Sequence, residues 1–386
     1  MLEFAAATGL SDPSHQPRRY LWTDAFAVGN FLQLYHQSSE QRFLQLAIKL
    51  VDQVHHTLGK QRKDSRHSGW LSGLNEEQGQ QHPTQGGLRI GKKLPERQLD
   101  EPIDESLEWD QDGQYYHYLT KWMQALNDVS RVTGKAIYNQ WALELAKVAH
   151  ATFVYTPSTS ASISDTKRIF WKMSIDLSRP LVDSMGHHDP LDGLITYQQL
   201  QATAKELPET PSELNLEEEI GDMETICEGQ KWATRDALGI GGLLTDAFKL
   251  VQLIDGHELR LTDRLASLLD DIELSQQAFA AHNQLNLAAE YRLAFRELGL
   301  AIGLHKINKM QKIIRQHANK FNNADRLSST LSKLSRFHQL AELIDKFWLQ
   351  PEHRSVSSWL EHADINNVML ATSLLSAGER PDEEKF

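Results

Sequence analysis

Apolar side chains recur along the chain with the period of an α-helix. Over residues 43–58 they are spaced by three or four positions, which places them on one face of a helix, and residues 141–153 show the same rhythm. Residues 34–58 and 129–153 align without a gap, and in both copies an earlier helical segment leads through a short turn into the patterned one. The repeated unit is therefore predicted to be a helical hairpin.

Further segments show helical periodicity. They are residues 23–36, 115–131, 190–205, 238–253, 262–272, 287–307 and 358–375. A turn is predicted at Asp255 and Gly256, between two of these segments. Alternating patterns typical of strands are nearly absent, so the sequence predicts an all-α fold built from successive antiparallel hairpins.

Four polar segments interrupt the helical pattern, at residues 61–114, 156–165, 206–230 and 276–286. The first is too long for an ordinary connection and contains Trp70, Trp109 and several glycine turns, so we expect an ordered lid over a site. The second predicts a disordered polar loop, and the third, which is acidic and contains two prolines, predicts an acidic loop. The fourth fits a loop or a frayed helix end.

Composition limits the function classes. The 386 residues have a net charge of -12, which argues against a nucleic-acid partner, and a single cysteine, Cys227, excludes an internal disulfide framework. The seventeen histidines show no spacing typical of metal ligands. No apolar run reaches about 18 residues, and no basic leader opens the chain. We therefore expect a cytoplasmic protein with no membrane partner, no metal and no cofactor; a homodimer is compatible with the sequence.

Three segments resemble a known family. They are residues 22–58, which begin WTDAFAVGNF, residues 109–146, which begin WDQDGQYYHY, and residues 179–194, RPLVDSMGHHDPLDGL. Together they resemble the first three hairpins of the N-acylglucosamine 2-epimerase family, whose members are six-hairpin (α/α)6 toroids. The resemblance implies that residues 1–386 form a single toroid domain and that the protein is an isomerase acting on a sugar.

The chain differs from that family in its fourth hairpin. Family members have a Pro-Gly-His motif there, and its histidine is one of two acid/base residues. The corresponding residues 238–250 read LGIGGLLTDAFKL and contain no histidine. The family's histidine of the last hairpin has a loose counterpart in His362. The resemblance therefore implies the fold more directly than it implies epimerase chemistry.

Two adjacent histidines precede a predicted helix. Asp189 suits the N-cap of that helix, Pro190 its first position and Asp192 the third position of a capping box. His187 and His188 then lie just before the helix, where the helix dipole disfavours an imidazolium. A neutral imidazole is what a general base needs at neutral pH, so His188 is the candidate base and His187 the alternative.

His362 has a similar predicted position. Ser358 and Glu361 have the spacing of a capping box, which places His362 in the first turn of the last helix. On a toroid the inner helices direct one end towards a shared centre. His362 is therefore the candidate for the second acid/base residue, although an exposed surface histidine has the same signature.

Tryptophans beside carboxylates are typical of sugar sites, because the ring stacks on a pyranose and the carboxylates bind hydroxyl groups or transfer protons. Two segments before predicted inner helices have this composition, and the second leads into an aromatic-His-aromatic run. The candidate sugar-binding residues are Trp22, Asp24, Trp109, Asp110, Asp112, Tyr116 and His117. Asp24 with Asp110 or Asp112 would be the acid/base pair of a hydrolase.

Three arginines are candidates for binding an anionic group of the sugar or its enediolate. Arg89 lies in a basic, glycine-rich turn that lacks the spacing of a nucleotide-binding loop. Arg179 and Arg235 precede predicted inner helices. Structural ion pairs are an equally good explanation for all three.

The sequence thus favours a carbohydrate-active enzyme, a sugar 2-epimerase or aldose–ketose isomerase. A base would remove the proton at C2 of the open-chain sugar, and the resulting enediolate would take a proton back at C2 or at C1. Two alternatives remain open: a glycoside hydrolase on the same toroid, and a non-catalytic toroid that binds a glycan or a protein.

Overall fold

The computed structural model describes residues 1–12, 14, 16–157, 167–207, 209–257, 261–281 and 284–378. Helices make up 67% of the structure, as the apolar periodicity predicts. The chain divides into two compact units, Leu2–Glu228 and Gly229–Phe386, and Met1 groups with the second. The predicted single toroid domain stays a prediction. Most of the predicted disordered loop at residues 156–165 lies outside the described residues.

The first unit contains three helical hairpins, α2/α3, α6/α7 and α8/α9. The first helix of the second hairpin, α6, packs against α2 on one side and α8 on the other. The helices of the unit are α1 (Leu2–Ala7), α2 (Leu21–Ser38), α3 (Gln41–Leu58), α4 (Glu76–Gln81), α5 (Glu105–Glu108), α6 (Tyr116–Thr133), α7 (Ala136–Phe153), α8 (Asp189–Glu206) and α9 (Glu217–Cys227). The repeated hairpin predicted over residues 34–58 and 129–153 is confirmed.

Five short strands, which the sequence did not predict, accompany the helices of the first unit. They are β1 (Gln114–Tyr115), β2 (Val154–Tyr155), β3 (Arg168–Ile169), β4 (Lys172–Met173) and β5 (Pro180–Val182). β4 pairs antiparallel with both β1 and β5, and β2 pairs with β3. Two or three residues are too few to show an alternating pattern, so the sequence contains no signal for these strands. Because β1 leads directly into α6, its pairing with β4 fixes the position of the start of that helix.

Residues 206–230 contain helix α9 in place of the predicted acidic loop. Met223, Ile226 and Cys227 are buried on one face of α9, which packs against α8. The acidic side chains of its first turn dominate the composition of this segment, so the apolar face was not recognised in the sequence. α9 is therefore the missing partner of the helix predicted over residues 190–205.

The insert at residues 61–114 is described throughout and includes the short helices α4 and α5. The contact between Gly79 and Trp70 shows how closely it is packed, since a Cβ on Gly79 would lie 2.2 Å from the indole. His82 Nδ1 lies 2.6 Å from Glu144 Oε1, which fastens the insert to α7. The insert belongs to the first unit, and its role as a lid stays a prediction.

The second unit is also helical. Its helices are α10 (Ala237–His257), α11 (Thr262–Ala280), α12 (Ala294–His305), α13 (Ile307–Gln316), α14 (Ala324–Leu334), α15 (His338–Leu349), α16 (Ser357–Leu360) and α17 (Ala363–Gly378). α12 packs against α10, α15 and α17. The turn predicted at Asp255 and Gly256 is wrong, because α10 continues through both residues. The helix predicted from residue 287 begins at Ala294.

Among the described residues, α10 alone has the length and apolarity of a membrane-spanning helix, with a mean hydropathy of 1.4 over its most apolar window. The structure buries 67% of that window. Ile240, Leu244 and Val251 are among its fully or almost fully buried side chains, and α10 packs along α12. These contacts are those of a core helix.

We expect Gly241→Ala to destabilise the protein by about 1–3 kcal/mol or more, because a Cβ there would lie 2.0 Å from the carbonyl oxygen of Gly299. Neither helix backbone can yield without repacking α10 against α12. Gly242 is the matched control, since nothing lies within 4 Å of a Cβ at that position. Gly242→Ala should be neutral or stabilising through helix propensity. Thermal unfolding of both variants tests this, and equal melting temperatures would contradict the close approach.

Candidate functional site

The first turns of α2, α6 and α8 lie side by side in the first unit. Tyr20, which caps α2, places its hydroxyl 2.7 Å from that of Tyr118 in the first turn of α6. Asp192 in the first turn of α8 accepts a hydrogen bond of 2.5 Å from Thr120 of α6. Residues from three hairpins therefore meet at this end of the unit, and this is the candidate functional site.

One part of the site is a group of aromatic rings, here called the aromatic cluster: Tyr20, Trp22, Trp109, Tyr115, His117, Tyr118 and Trp171. The Trp171 ring is stacked on His117, with centroids 6.1 Å apart, and meets Trp109 edge-on at 4.7 Å. Trp109 is 53% exposed, so the cluster reaches from the interior to solvent. Aromatic rings of this kind bind the apolar face of a sugar.

The short strands position Trp171. Tyr115 of β1 pairs with Lys172 of β4, and the N–H of Tyr116 donates to the carbonyl of Trp171. The Lys172 ammonium is fully buried and donates to Glu108 Oε1 at 2.8 Å and to two backbone carbonyls. β4 is thereby held against α5 and the start of α6, which fixes Trp171 beside His117.

His117 is a neutral histidine within the cluster. Burial, aided by the charge of Lys121 and opposed by that of Asp192, lowers the pKa of its imidazole to about 4. Nδ1 accepts a hydrogen bond of 3.2 Å from the indole N–H of Trp171. The neutral ring therefore has its proton on Nε2, which makes Nε2 a hydrogen-bond donor at neutral pH.

The other part of the site is polar. Asp192 binds the ammonium of Lys121 at 2.5 Å and the amide of Gln124 at 3.1 Å, in addition to Thr120. The capping role predicted for Asp192 is therefore wrong, because its carboxylate links α8 to α6. Lys121 is half-buried and places a cation beside the first turn of α8.

The N-cap role predicted for Asp189 is also wrong. His188 occupies the N-cap, Asp189 is the first residue of α8, and no side chain caps the helix. Asp189 is buried, and its Oδ2 has no hydrogen-bond partner among the described residues. Burial raises the pKa of its carboxyl group to about 7, with a further contribution from the charge of Asp192 and an opposing one from Lys121.

The candidate acid/base histidines lie in different units. His187 is exposed and His188 half-buried, with their rings edge-to-face at 4.6 Å just before α8. His362, in the second unit, is exposed between α16 and α17 and meets the Phe295 ring at 5.8 Å. The capping box predicted in front of it does not form, because the Ser358 hydroxyl donates to the carbonyl of Ala289.

Arg89 and Asp112 form a buried ion pair with 2.6 Å between Nη1 and Oδ2. The other guanidinium nitrogens of Arg89 donate to the carbonyls of Lys60 and Thr57, and Asp112 also binds Arg62 at 3.0 Å. These partners belong to the end of α3, to Lys60 just after it and to the insert. This arrangement is structural, and neither side chain is available to a sugar.

Asp24 and Tyr116 are similarly occupied. Asp24 is buried, pairs with Arg19 at 3.3 Å and accepts the N–H of Tyr20 at 2.8 Å, which caps α2. Tyr116 is fully buried, with its hydroxyl 3.1 Å from that of Tyr197. Burial raises the pKa of Tyr116 well above its ordinary value. Both residues belong to the packing beneath the aromatic cluster.

The remaining predicted residues are scattered. Trp22 is 8% exposed and lies within the aromatic cluster, whereas Asp110 is exposed beside Trp109. Arg179 donates to the carbonyl of Arg97. Arg235 is exposed ahead of α10 in the second unit.

Sequence reasoning missed six residues of the site: Tyr20, Tyr115, Tyr118, Lys121, Trp171 and the buried Asp189. Tyr118 and Lys121 follow His117 on the same helix, so the predicted helix contained the signal for both. Trp171 had no such signal, because it lies between strands of two residues.

No family model matches the sequence, and no curated protein matches it. Solved structures that match the chain include two cellobiose 2-epimerases. The structure of cellobiose 2-epimerase from Spirochaeta thermophila DSM 6192 matches with a TM-score of 0.50 and 12% identity, over 97% of this chain and 96% of that one. That of cellobiose 2-epimerase from Bacillus thermoamylovorans B4167 matches with a TM-score of 0.47 and 10% identity, over 88% and 84%.

The likeness to the Spirochaeta enzyme shows the fold. It confirms the predicted fold class, an all-α (α/α)6 toroid. At 12% identity the likeness extends to the fold alone.

Proposed function

We propose that this protein is a carbohydrate-active isomerase, a sugar 2-epimerase or an aldose–ketose isomerase. The observation that carries the proposal is the aromatic cluster, which adjoins titratable groups at the first turns of three inner helices. The rings fit the apolar face of a pyranose. The fold likeness to cellobiose 2-epimerases supports a sugar as substrate.

In the proposed reaction His188 is the base. It removes the proton at C2 of the open-chain sugar, the electrons of that bond form a C1–C2 double bond, and the C1 oxygen becomes an enediolate. A proton then returns to the other face of C2 or to C1. His187 is the alternative base. The substrate contacts come from Trp22, Trp109, His117 and Trp171.

The hydrolase alternative is less well supported by the geometry. Asp24 and Asp112 are held by arginines in the interior. Asp110 is exposed, so neither predicted partner leaves it with a second available carboxyl group. A glycosidase needs two carboxyl groups that flank a bound glycosidic bond. The aromatic cluster without chemistry would still suit a glycan-binding protein, and the same experiment distinguishes the three functions.

The experiment is hydrogen exchange at C2. The protein is incubated in deuterated water with a panel of hexoses, hexosamines and β-linked disaccharides, and deuterium at C2 is read by NMR. We expect incorporation into at least one sugar, together with its epimer or ketose. Cleavage of aryl glycosides without exchange would identify a hydrolase, and binding without either reaction would identify a glycan-binding protein.

We expect Trp171→Ala to raise the dissociation constant for that sugar about tenfold, because a stacked ring contributes roughly 0.5–1.5 kcal/mol beyond the area it buries. Titration followed by calorimetry measures the change. Phe170→Ala is the matched control, since the neighbouring Phe170 ring is stacked on Tyr155 with centroids 3.8 Å apart, outside the aromatic cluster. Equal affinities of the two variants would remove Trp171 from the site.

A further inference from the structure

The carboxyl group of Asp189 differs from the other buried aspartates of the site. Asp24, Asp112 and Asp192 are each held by a cation and by further hydrogen bonds. Asp189 is only 7% exposed, and its Oδ2 has no partner among the described residues. A buried polar atom without a partner costs free energy, so an orphaned carboxyl oxygen at a site calls for an explanation.

Its position is also specific. Asp189 is the first residue of α8, directly after the candidate base His188 and one turn before Asp192, so both aspartates lie on one face of the helix. The loop before α8 lies against the carboxyl group, since a Cβ on Gly186 would lie 2.4 Å from Oδ2. The charge of Lys121 on α6 reaches the carboxyl group as well.

The proposed reaction needs a group that neutralises the charge developing on the C1 oxygen. The arginines predicted for this task are committed elsewhere, Arg89 to Asp112 and two carbonyls, and Arg179 to the carbonyl of Arg97. Lys121 is paired with Asp192 at 2.5 Å. Arg89, Arg179 and Lys121 are therefore all engaged with other groups of the protein, and Arg235 belongs to the second unit.

We propose that Asp189 is a catalytic general acid that donates its carboxyl proton to the C1 oxygen of the sugar. This inference rests on the proposed function and adds a residue to it. Burial favours the neutral form of a carboxylic acid, and a neutral acid can act as a hydrogen-bond donor to a forming enolate.

The step balances without a further reactant. As His188 takes the C2 proton, the electron pair of the C–H bond forms the C1–C2 double bond, and the carbonyl π pair moves to the C1 oxygen. That oxygen takes the proton from Asp189, which leaves an enediol and a carboxylate. When the proton returns to C2, the C1 hydroxyl gives its proton back to Asp189 as the aldehyde re-forms. When the proton goes to C1, the C2 hydroxyl gives its proton to Asp189 as the ketone forms, and in both cases the neutral acid is restored.

The surroundings of Asp189 fit this role. Burial and the charge of Asp192 raise its pKa to about 7, so that a large fraction of the carboxyl group is protonated at neutral pH, while Lys121 prevents a still larger shift. The charged and titratable groups that interact with it are Asp192 on α8 and Lys121 and Tyr116 on α6, and His188 directly precedes it in the chain.

The test is the pH dependence of C2 exchange in wild type and in Asp189→Asn. For wild type we expect the rate to fall above a pH of about 7, as Asp189 loses its proton. Asp189→Asn should lower the rate about 10²-fold and abolish this alkaline decline, because an amide cannot ionise or transfer a proton. Asp189→Glu should restore part of the rate together with the decline. Asp183→Asn is the control, since Asp183 is exposed in the same loop and should keep the wild-type profile.

Two outcomes overturn the inference alone: wild-type exchange that Asp189→Asn leaves unchanged, and an alkaline decline that persists in Asp189→Asn. The absence of exchange by wild type with every sugar overturns the proposed function and the inference together. If the variant does not fold, a measurement on the wild-type protein still tests the proposal. The carboxyl carbon of Asp189, followed by 13C NMR, should titrate near pH 7, and titration below about pH 5 would overturn the proposal.

Discussion

Asp112→Ala is expected to lower the free energy of unfolding by about 3–5 kcal/mol. Asp112 is fully buried and binds Arg89 at 2.6 Å, Arg62 at 3.0 Å and the N–H of Gly91 at 3.0 Å. The variant leaves the buried Arg89 guanidinium without its counter-charge, and that uncompensated charge is the main cost. Denaturant unfolding followed by circular dichroism measures the change.

Asp110 provides the matched control, two residues earlier in the same segment. It is exposed, so Asp110→Ala should change stability by less than about 0.5 kcal/mol. Equal losses in the two variants would show that the insert is not held by the Asp112 ion pair. The expected difference would confirm that Arg89 and Asp112 are part of the architecture and not of a sugar site.

The sequence predicted the helical core well because burial imposes a period on it. Leu50, Val54 and Leu58 are almost fully buried at four-residue intervals on α3, and α7 repeats the pattern. The short strands left no pattern to find, although they decide where Trp171 lies. In the sequence of α9 the acidic residues of the first turn were more conspicuous than the few apolar residues buried on its other face, so this segment was predicted as a loop.

The roles of individual charged residues were predicted less well than the positions of the helices. Arg89 and Asp112 have the composition of a binding site, but only a structure shows that each neutralises the other. Asp189 and Asp192 fit a capping pattern so well that no function was needed to explain them. In the structure Asp192 links two helices and Asp189 is buried with an orphaned oxygen. Type and spacing of residues do not reveal which partner lies across a helix interface.

His188→Ala is expected to reduce C2 exchange by ~10²–10⁴-fold if His188 is the base. The cost in stability should be only about 0.5–2 kcal/mol, because the half-buried ring lies at a helix start and has local interactions to lose. Turnover and melting temperature are compared in the same preparations. A loss of turnover that far exceeds the loss of stability separates a chemical role from a structural one.

The control for that comparison is His56→Ala. His56 lies on the outer helix α3 with its side chain 40% exposed, so its removal should leave both turnover and melting temperature close to wild type. His55 is unsuitable, since it is buried and its Nε2 accepts the indole N–H of Trp122 at 3.1 Å. Equal turnover of His188→Ala and His56→Ala would reduce His188 to a structural residue. Because His187 is its neighbour, His187→Ala then becomes the decisive variant, and wild-type turnover in both would remove the helix-start histidines from the mechanism.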